Sequence, residues 1–214
     1  MALEIITALV SDYLSSKAIA GAGTFSVAGG MVLQRLLRKR AETAREILIE
    51  ELRQGDRFLE EVSEDEAAAI IFRYMRAAEE GAAKRNLRFL AAVIAGQAAE
   101  ESLYADEFLM WADIIASLRS DEIAVLAVVH KHAEAINYKV ERSGTFWVEC
   151  MEILKKEHDF ELYRSDGAAA SLLRTGLIQL LGGLTDMGHA YLPGKRLSQL
   201  GKLIDIEGVS ARDR

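Results

Sequence analysis

The sequence predicts a mainly α protein, and three observations carry that reading. One proline stands among 214 residues, Ala, Leu, Glu and Arg are abundant, and apolar side chains recur at three- and four-residue spacing through most of the chain. Apolar residues make up 50% and charged residues 28%, the balance of a chain that buries a core. A length of 214 residues suffices for one large or two small domains. The pattern changes character at Ser120, which divides the chain into a helical bundle, residues 1–119, and a smaller α+β module, residues 120–214.

In the first part, Glu4, Thr7, Ser11 and Ser15 form one narrow polar stripe on a helix from Ala2 to Ser16. A helix polar over so little of its circumference is buried among others or lies in a membrane interface. Gly21 and Gly23 break it, and Thr24 or Ser26 caps a long helix from about Phe25 to Gln54, stopped at Gly55. Leu33, Leu37, Ala41, Ala44, Leu48 and Glu51 or Leu52 make its inward stripe, with Arg38 and Glu42 an exposed pair. If the helix instead runs unbroken through the glycines, Ala18, Ala22, Ser26 and Gly30 form a ridge of small residues that lets two helices approach closely.

Ser63 and Glu66 fit a capping box opening a third helix, with Ala67, Ile70, Ile71, Tyr74, Met75 and Ala78 inward and Gly81 at its end. A fourth, Ala82 to about Ala99, places Leu87, Leu90, Ala91 and Ile94 inside and Lys84, Arg85 and Arg88 outside. A fifth, Asp106 to Leu118, carries Phe108, Trp111, Ala112 and Ile115 inward.

In the second part, Ser120 caps a helix from Asp121 to Ile136 that is apolar nearly all round, as befits the centre of a small module. After a loop, Thr145 caps a helix to His158, and Ser165 and Asp166 cap a short one ended by Gly176. The apolar run Leu177 to Leu181 reads as a strand, His189 to Leu192 as a second, Pro193-Gly194 as a turn, and Ser198 as the cap of a last helix, Gln199 to Ile206.

Three helices, a β-hairpin and a closing helix is the order of a winged-helix module. The string Leu172-Leu173-Arg174-Thr175-Gly176-Leu177-Ile178, then Tyr191-Leu192, then Leu197-Ser198-Gln199-Leu200-Gly201-Lys202-Leu203-Ile204 resembles the ending of winged-helix proteins. It is also similar to the C-terminal part of the abortive-infection alpha family of bacterial defence proteins. The resemblance covers at most the last third of the chain and implies a local fold together with a setting in antiviral defence. Winged helices serve DNA binding and protein contact alike.

The stretch least like an ordinary core or surface helix lies between Lys17 and Arg35, where no charge occurs. Its 17 uncharged positions would span about 26 Å as a helix, just short of the roughly 30 Å of hydrocarbon in a bilayer. Its apolar members Ile19, Phe25, Val27, Met31 and Leu33 and the basic terminator Arg35, Arg38, Lys39 and Arg40 match an element for membrane association or self-assembly.

Against that local pattern, the net charge is −7 and the pI about 5.3, which repels nucleic acid and anionic lipid except where a local patch overrides the mean. From Phe58 to Ser120, 12 acidic residues face six basic ones, so the middle of the chain holds most of the negative charge. The one cysteine, Cys150, forms no intramolecular disulfide and reads as a small buried hydrophobe in a reducing compartment. Glu4 stands where a signal peptide carries a basic region, so the expected location is cytoplasmic, with association to the inner membrane face through the apolar element.

The sites that sequence offers are few. For duplex DNA, the helix preceding Gly176 offers Arg174 alone, and Lys195 and Arg196 would sit on the wing. His130 and Glu134 lie one turn apart, but no second pair at metal-ligand spacing accompanies them, so no metal or cofactor is expected. Nucleophile elbows, phosphate-binding glycine loops and zinc-protease motifs are absent, so no catalytic residue is assigned. The reading that results is a non-enzymatic interaction or effector protein whose partners are itself, another protein or the inner-membrane surface. A winged-helix DNA-binding regulator and a structural subunit of a phage-related assembly are the alternatives.

Overall fold

Ten α-helices and one two-stranded sheet make up the described part of the chain. In the computed structural model these described residues are 2–20, 27–54, 63–99, 103–138, 143–181 and 190–212. The mainly α class read from the sequence holds. The chain divides into two units, Met1–Ser117 and Leu118–Arg214.

The first unit contains α1 (Ala2–Ala20), α2 (Val27–Gln54), α3 (Glu64–Glu80), α4 (Lys84–Ala99) and α5 (Ala105–Ile115). The glycines expected to part α1 from α2, with Thr24 and Ser26, lie outside the described residues, as does Gly55. α2 packs along α4, and α3 packs against α1, α2 and α5. Their facing stripes supply the core, with Leu48, Leu52, Ile70, Ile71, Tyr74, Met75, Leu90, Phe108 and Trp111 all buried.

Polar groups lock these helices at defined points. The Ser63 hydroxyl accepts the Glu66 N–H at the start of α3. The Glu66 carboxylate accepts from the Ala105 N–H, so half of the expected capping box is spent on opening α5. At the other end of α3, Gly81 takes a left-handed φ of 97°, a conformation that costs a residue with a Cβ. The buried Tyr74 hydroxyl donates to the Ala44 carbonyl at 2.8 Å, and Asn86 Nδ2 donates to the Ile115 carbonyl at 2.8 Å.

Arg88 departs from expectation. It is buried, not on the outer face, and its Nη1 donates to Glu50 Oε2 and Glu51 Oε1, each at 2.9 Å. Two carboxylates from α2 offset what it costs to take a guanidinium out of water.

The second unit contains α6 (Ser120–Ala135), α7 (Ser143–His158), α8 (Leu162–Leu172) with a 3-10 turn (Leu173–Thr175), β1 (Ile178–Leu180), β2 (Tyr191–Pro193), α9 (Lys195–Leu203) and α10 (Ile206–Ala211). α6 is its axis and meets α7, α8, α9, α10 and β2, which is why its sequence is apolar nearly all round. β1 and β2 pair antiparallel with Gln179 opposite Leu192. Trp147 is buried against Tyr191, and its Nε1 donates to Asp166 Oδ1 at 3.0 Å. One turn of α7 further on, Cys150 is fully buried, and burial pushes its thiol pKa up.

Several boundaries here differ from the sequence reading. α6 has Arg119 at its cap position, with the Glu122 carboxylate accepting the Arg119 N–H at 2.7 Å. α7 begins two residues before Thr145. α8 begins at Leu162, and Ser165 is a buried member of it instead of its cap. α9 begins at Lys195 instead of Gln199, with Gly194 as its cap. A Cβ on Gly194 would fall 2.5 Å from the Gly176 carbonyl oxygen, so this close backbone crossing starts the helix before Ser198. The last helix is two helices: the chain is extended at Ile204, and Asp205 Oδ1 accepts the Gly208 N–H at 2.9 Å to open α10.

Candidate functional site

Each unit carries a feature that its packing does not absorb. In the first unit it is the beginning of α2. Ile19 belongs to the last turn of α1, Phe25 lies outside the described residues, and Val27 and Met31 belong to the first turns of α2, with side chains outside the described set. From Val32 onward the side chains are described. Val32 is 62% exposed, Leu33 58% and Leu36 52%, forming a short apolar strip one turn long.

The expectation that Leu33 points inward fails: among the described side chains of α2, burial begins at Ala41, two turns later. The basic cluster divides in two. Arg38 is paired with Glu42 at 2.9 Å, and Arg40 donates to the Glu79 carbonyl at 3.1 Å. Arg35 and Lys39 extend into solvent beside the apolar strip. Among the described residues no helix is long and apolar enough to cross a membrane.

In the second unit, two of the three cations proposed for nucleic-acid or partner contact are held by the protein itself. Arg174 makes a two-pronged contact with Glu122, Nη1 to Oε1 at 2.5 Å and Nη2 to Oε2 at 3.1 Å. Burial would raise the Glu122 pKa, but the Arg174 guanidinium and the Arg119 N–H outweigh it and hold the carboxyl below its ordinary range. Arg196 Nη1 donates to the Thr175 carbonyl at 2.9 Å. Lys195 is exposed. Lys195 and Arg196, expected on the wing, lie in the first turn of α9, which Gly194 starts directly after β2.

The structure also assembles a group that local spacing did not show. His130, on the last turns of α6, is only 7% exposed. Its Nδ1 lies 3.0 Å from Glu207 Oε1 on α10, and its Nε2 lies 3.7 Å from Glu134 Oε1, one turn along α6. Donor atoms of the three residues all fall within 4.8 Å of one another.

Gly201 of α9 makes the arrangement sterically feasible: a Cβ there would fall 2.0 Å from His130 Nε2. A cavity of about 470 Å³ opens beside the ring, lined by His130, Glu134, Tyr138, Ser198, Gly201 and Lys202 among others. The Tyr138 hydroxyl on its wall is buried without a hydrogen-bond partner, and burial raises its pKa. His130 and Glu134 were visible in the sequence as an i, i+4 pair. Glu207, 77 residues beyond His130, carries no local signal and joins them only because Asp205 opens a separate α10. No family model, curated protein or solved structure matches the chain.

Proposed function

We propose that this is a non-enzymatic interaction protein that docks on an anionic lipid surface through the first half of α2. One observation carries the reading: an exposed apolar strip of Val32, Leu33 and Leu36 with the solvent-facing cations Arg35 and Lys39 beside it, in a chain whose net charge is −7. A strip one turn long is too short to span a bilayer but long enough to seat in the headgroup boundary. Each adjacent Lys or Arg adds about 1 kcal/mol of attraction to anionic lipid. That local attraction opposes the repulsion felt by the acidic remainder, so binding depends on the strip meeting the surface first.

In this reading the second unit is a winged-helix-like module that contacts a protein partner. Its candidate DNA-reading cations support that choice, since Arg174 and Arg196 already have protein acceptors. The similarity of residues 172–204 to the abortive-infection alpha family supplies the setting, an effector in bacterial antiviral defence.

The test is sedimentation of the full chain with vesicles of phosphatidylcholine alone and of phosphatidylcholine mixed with phosphatidylglycerol. The expected result is capture by the mixed vesicles only, weakening with salt, and loss of capture when Val32, Leu33 and Leu36 are each changed to Asp. Capture that survives those changes overturns the reading. So does absence of capture in the parent chain, and a concentration-dependent dimer abolished by the same changes would then assign the strip to self-assembly.

A further inference from the structure

We infer that His130, Glu134 and Glu207 form a binding site for a divalent first-row transition-metal ion of the zinc type. The first argument is distance. Imidazole nitrogen and carboxylate oxygen both bind such ions at about 2.0–2.2 Å, so neighbouring ligands of one tetrahedral ion sit about 3.3–3.6 Å apart. His130 Nδ1 and Glu207 Oε1 are 3.0 Å apart, so an ion enters between them when the two groups part by about half an ångström. Glu134 lies 3.7 Å from the other ring nitrogen, Nε2, with its donor oxygen within 4.8 Å of the others; it completes the set by swinging toward Nδ1, which its 67% exposed side chain allows.

The second argument is ligand chemistry. One imidazole and two carboxylates suit zinc, cobalt or nickel, whereas magnesium and calcium take oxygen donors alone. Two carboxylates also bring the negative charge that offsets a divalent cation beside Lys202.

The third argument is preorganisation. His130 is closed in by the backbone of α9 at Gly201, where any side chain would collide with Nε2, so the ring has little freedom to lose on binding. A cavity of about 470 Å³ adjoins the group on the side of Glu134, with the unpartnered Tyr138 hydroxyl among its lining residues, and gives an ion and its water room to enter. Without an ion, the same three residues are a histidine braced between two carboxylates, and the experiment separates the two states.

Zinc titrated into the intact metal-free protein against a chromophoric chelator should show one ion bound per chain. Glu134→Gln and Glu207→Gln should each weaken it by about tenfold or more, and His130→Gln should abolish it. Cobalt substituted for zinc should give a visible absorption band that Glu207→Gln alters. His132, also on α6 and bonded to Glu149 of α7 at 2.7 Å, serves as control, and His132→Gln should leave the affinity unchanged. Absence of saturable binding overturns the site, and so does an affinity retained by the Glu134→Gln/Glu207→Gln double variant. Because Glu134 is a solvent-exposed carboxylate on a helix surface, Glu134→Gln keeps the test decisive even where His130→Gln disturbs folding.

Discussion

The two halves of α2 obey opposite rules. From Ala41 to Leu52 the helix follows strict amphipathic periodicity, with Ala41, Ala44, Leu48 and Leu52 buried and Glu51 pulled inward by Arg88. From Val32 to Leu36 the same helix offers leucine and valine to solvent beside Arg35 and Lys39. The polarity of a residue therefore does not decide its side of this helix. Neighbours do: where α3 and α4 lie alongside, even a charged pair is enclosed, and where burial stops, apolar side chains remain outside.

The contrast is broken most severely at its buried charge. Arg88→Met removes the guanidinium from the buried Glu51 carboxylate and should cost about 3–5 kcal/mol, read as a shifted midpoint in urea unfolding of the first unit. Next, Leu48→Ala opens a cavity in the packed half and should cost about 2–5 kcal/mol; calorimetry on the purified variant checks it. Tyr74→Phe deletes the donor to the Ala44 carbonyl and should cost about 1 kcal/mol. If this loss is negligible, the hydroxyl does not help hold α3 on α2. At the exposed end, Leu33→Asp with Leu36→Asp should change stability by no more than about 0.5 kcal/mol while removing vesicle capture. A large destabilisation there would show that the strip is core in solution and erase the contrast altogether.

How legible these features were depends on how far apart their causes lie in the chain. The Ser63 cap and the Gly81 stop were readable because each signal and its effect fall within a few residues. Leu48, Tyr74, Phe108 and Trp111 were readable as core because apolar periodicity is a local record of burial. Arg88 was misplaced because the carboxylates that admit it stand 37 and 38 residues earlier. The start of α9 was placed too late because Pro193-Gly194 is an equally good turn signal, and only the crossing of Gly194 over Gly176 makes it a helix cap. Of the candidate metal group, the sequence showed His130 and Glu134 and withheld Glu207, since nothing in helical spacing links residues on α6 and α10.

Cys150 carries a consequence for experiment. It is the chain's one thiol, it lies wholly inside the second unit, and burial keeps it in the unreactive protonated form. A thiol-labelling reagent added to the native protein therefore acts as a clock for that unit alone: it modifies the chain only in the moments when α7 comes away from its neighbours. Run beside urea unfolding followed by whole-chain helicity, the labelling rate tells whether the two units open together or in sequence, with no probe to engineer.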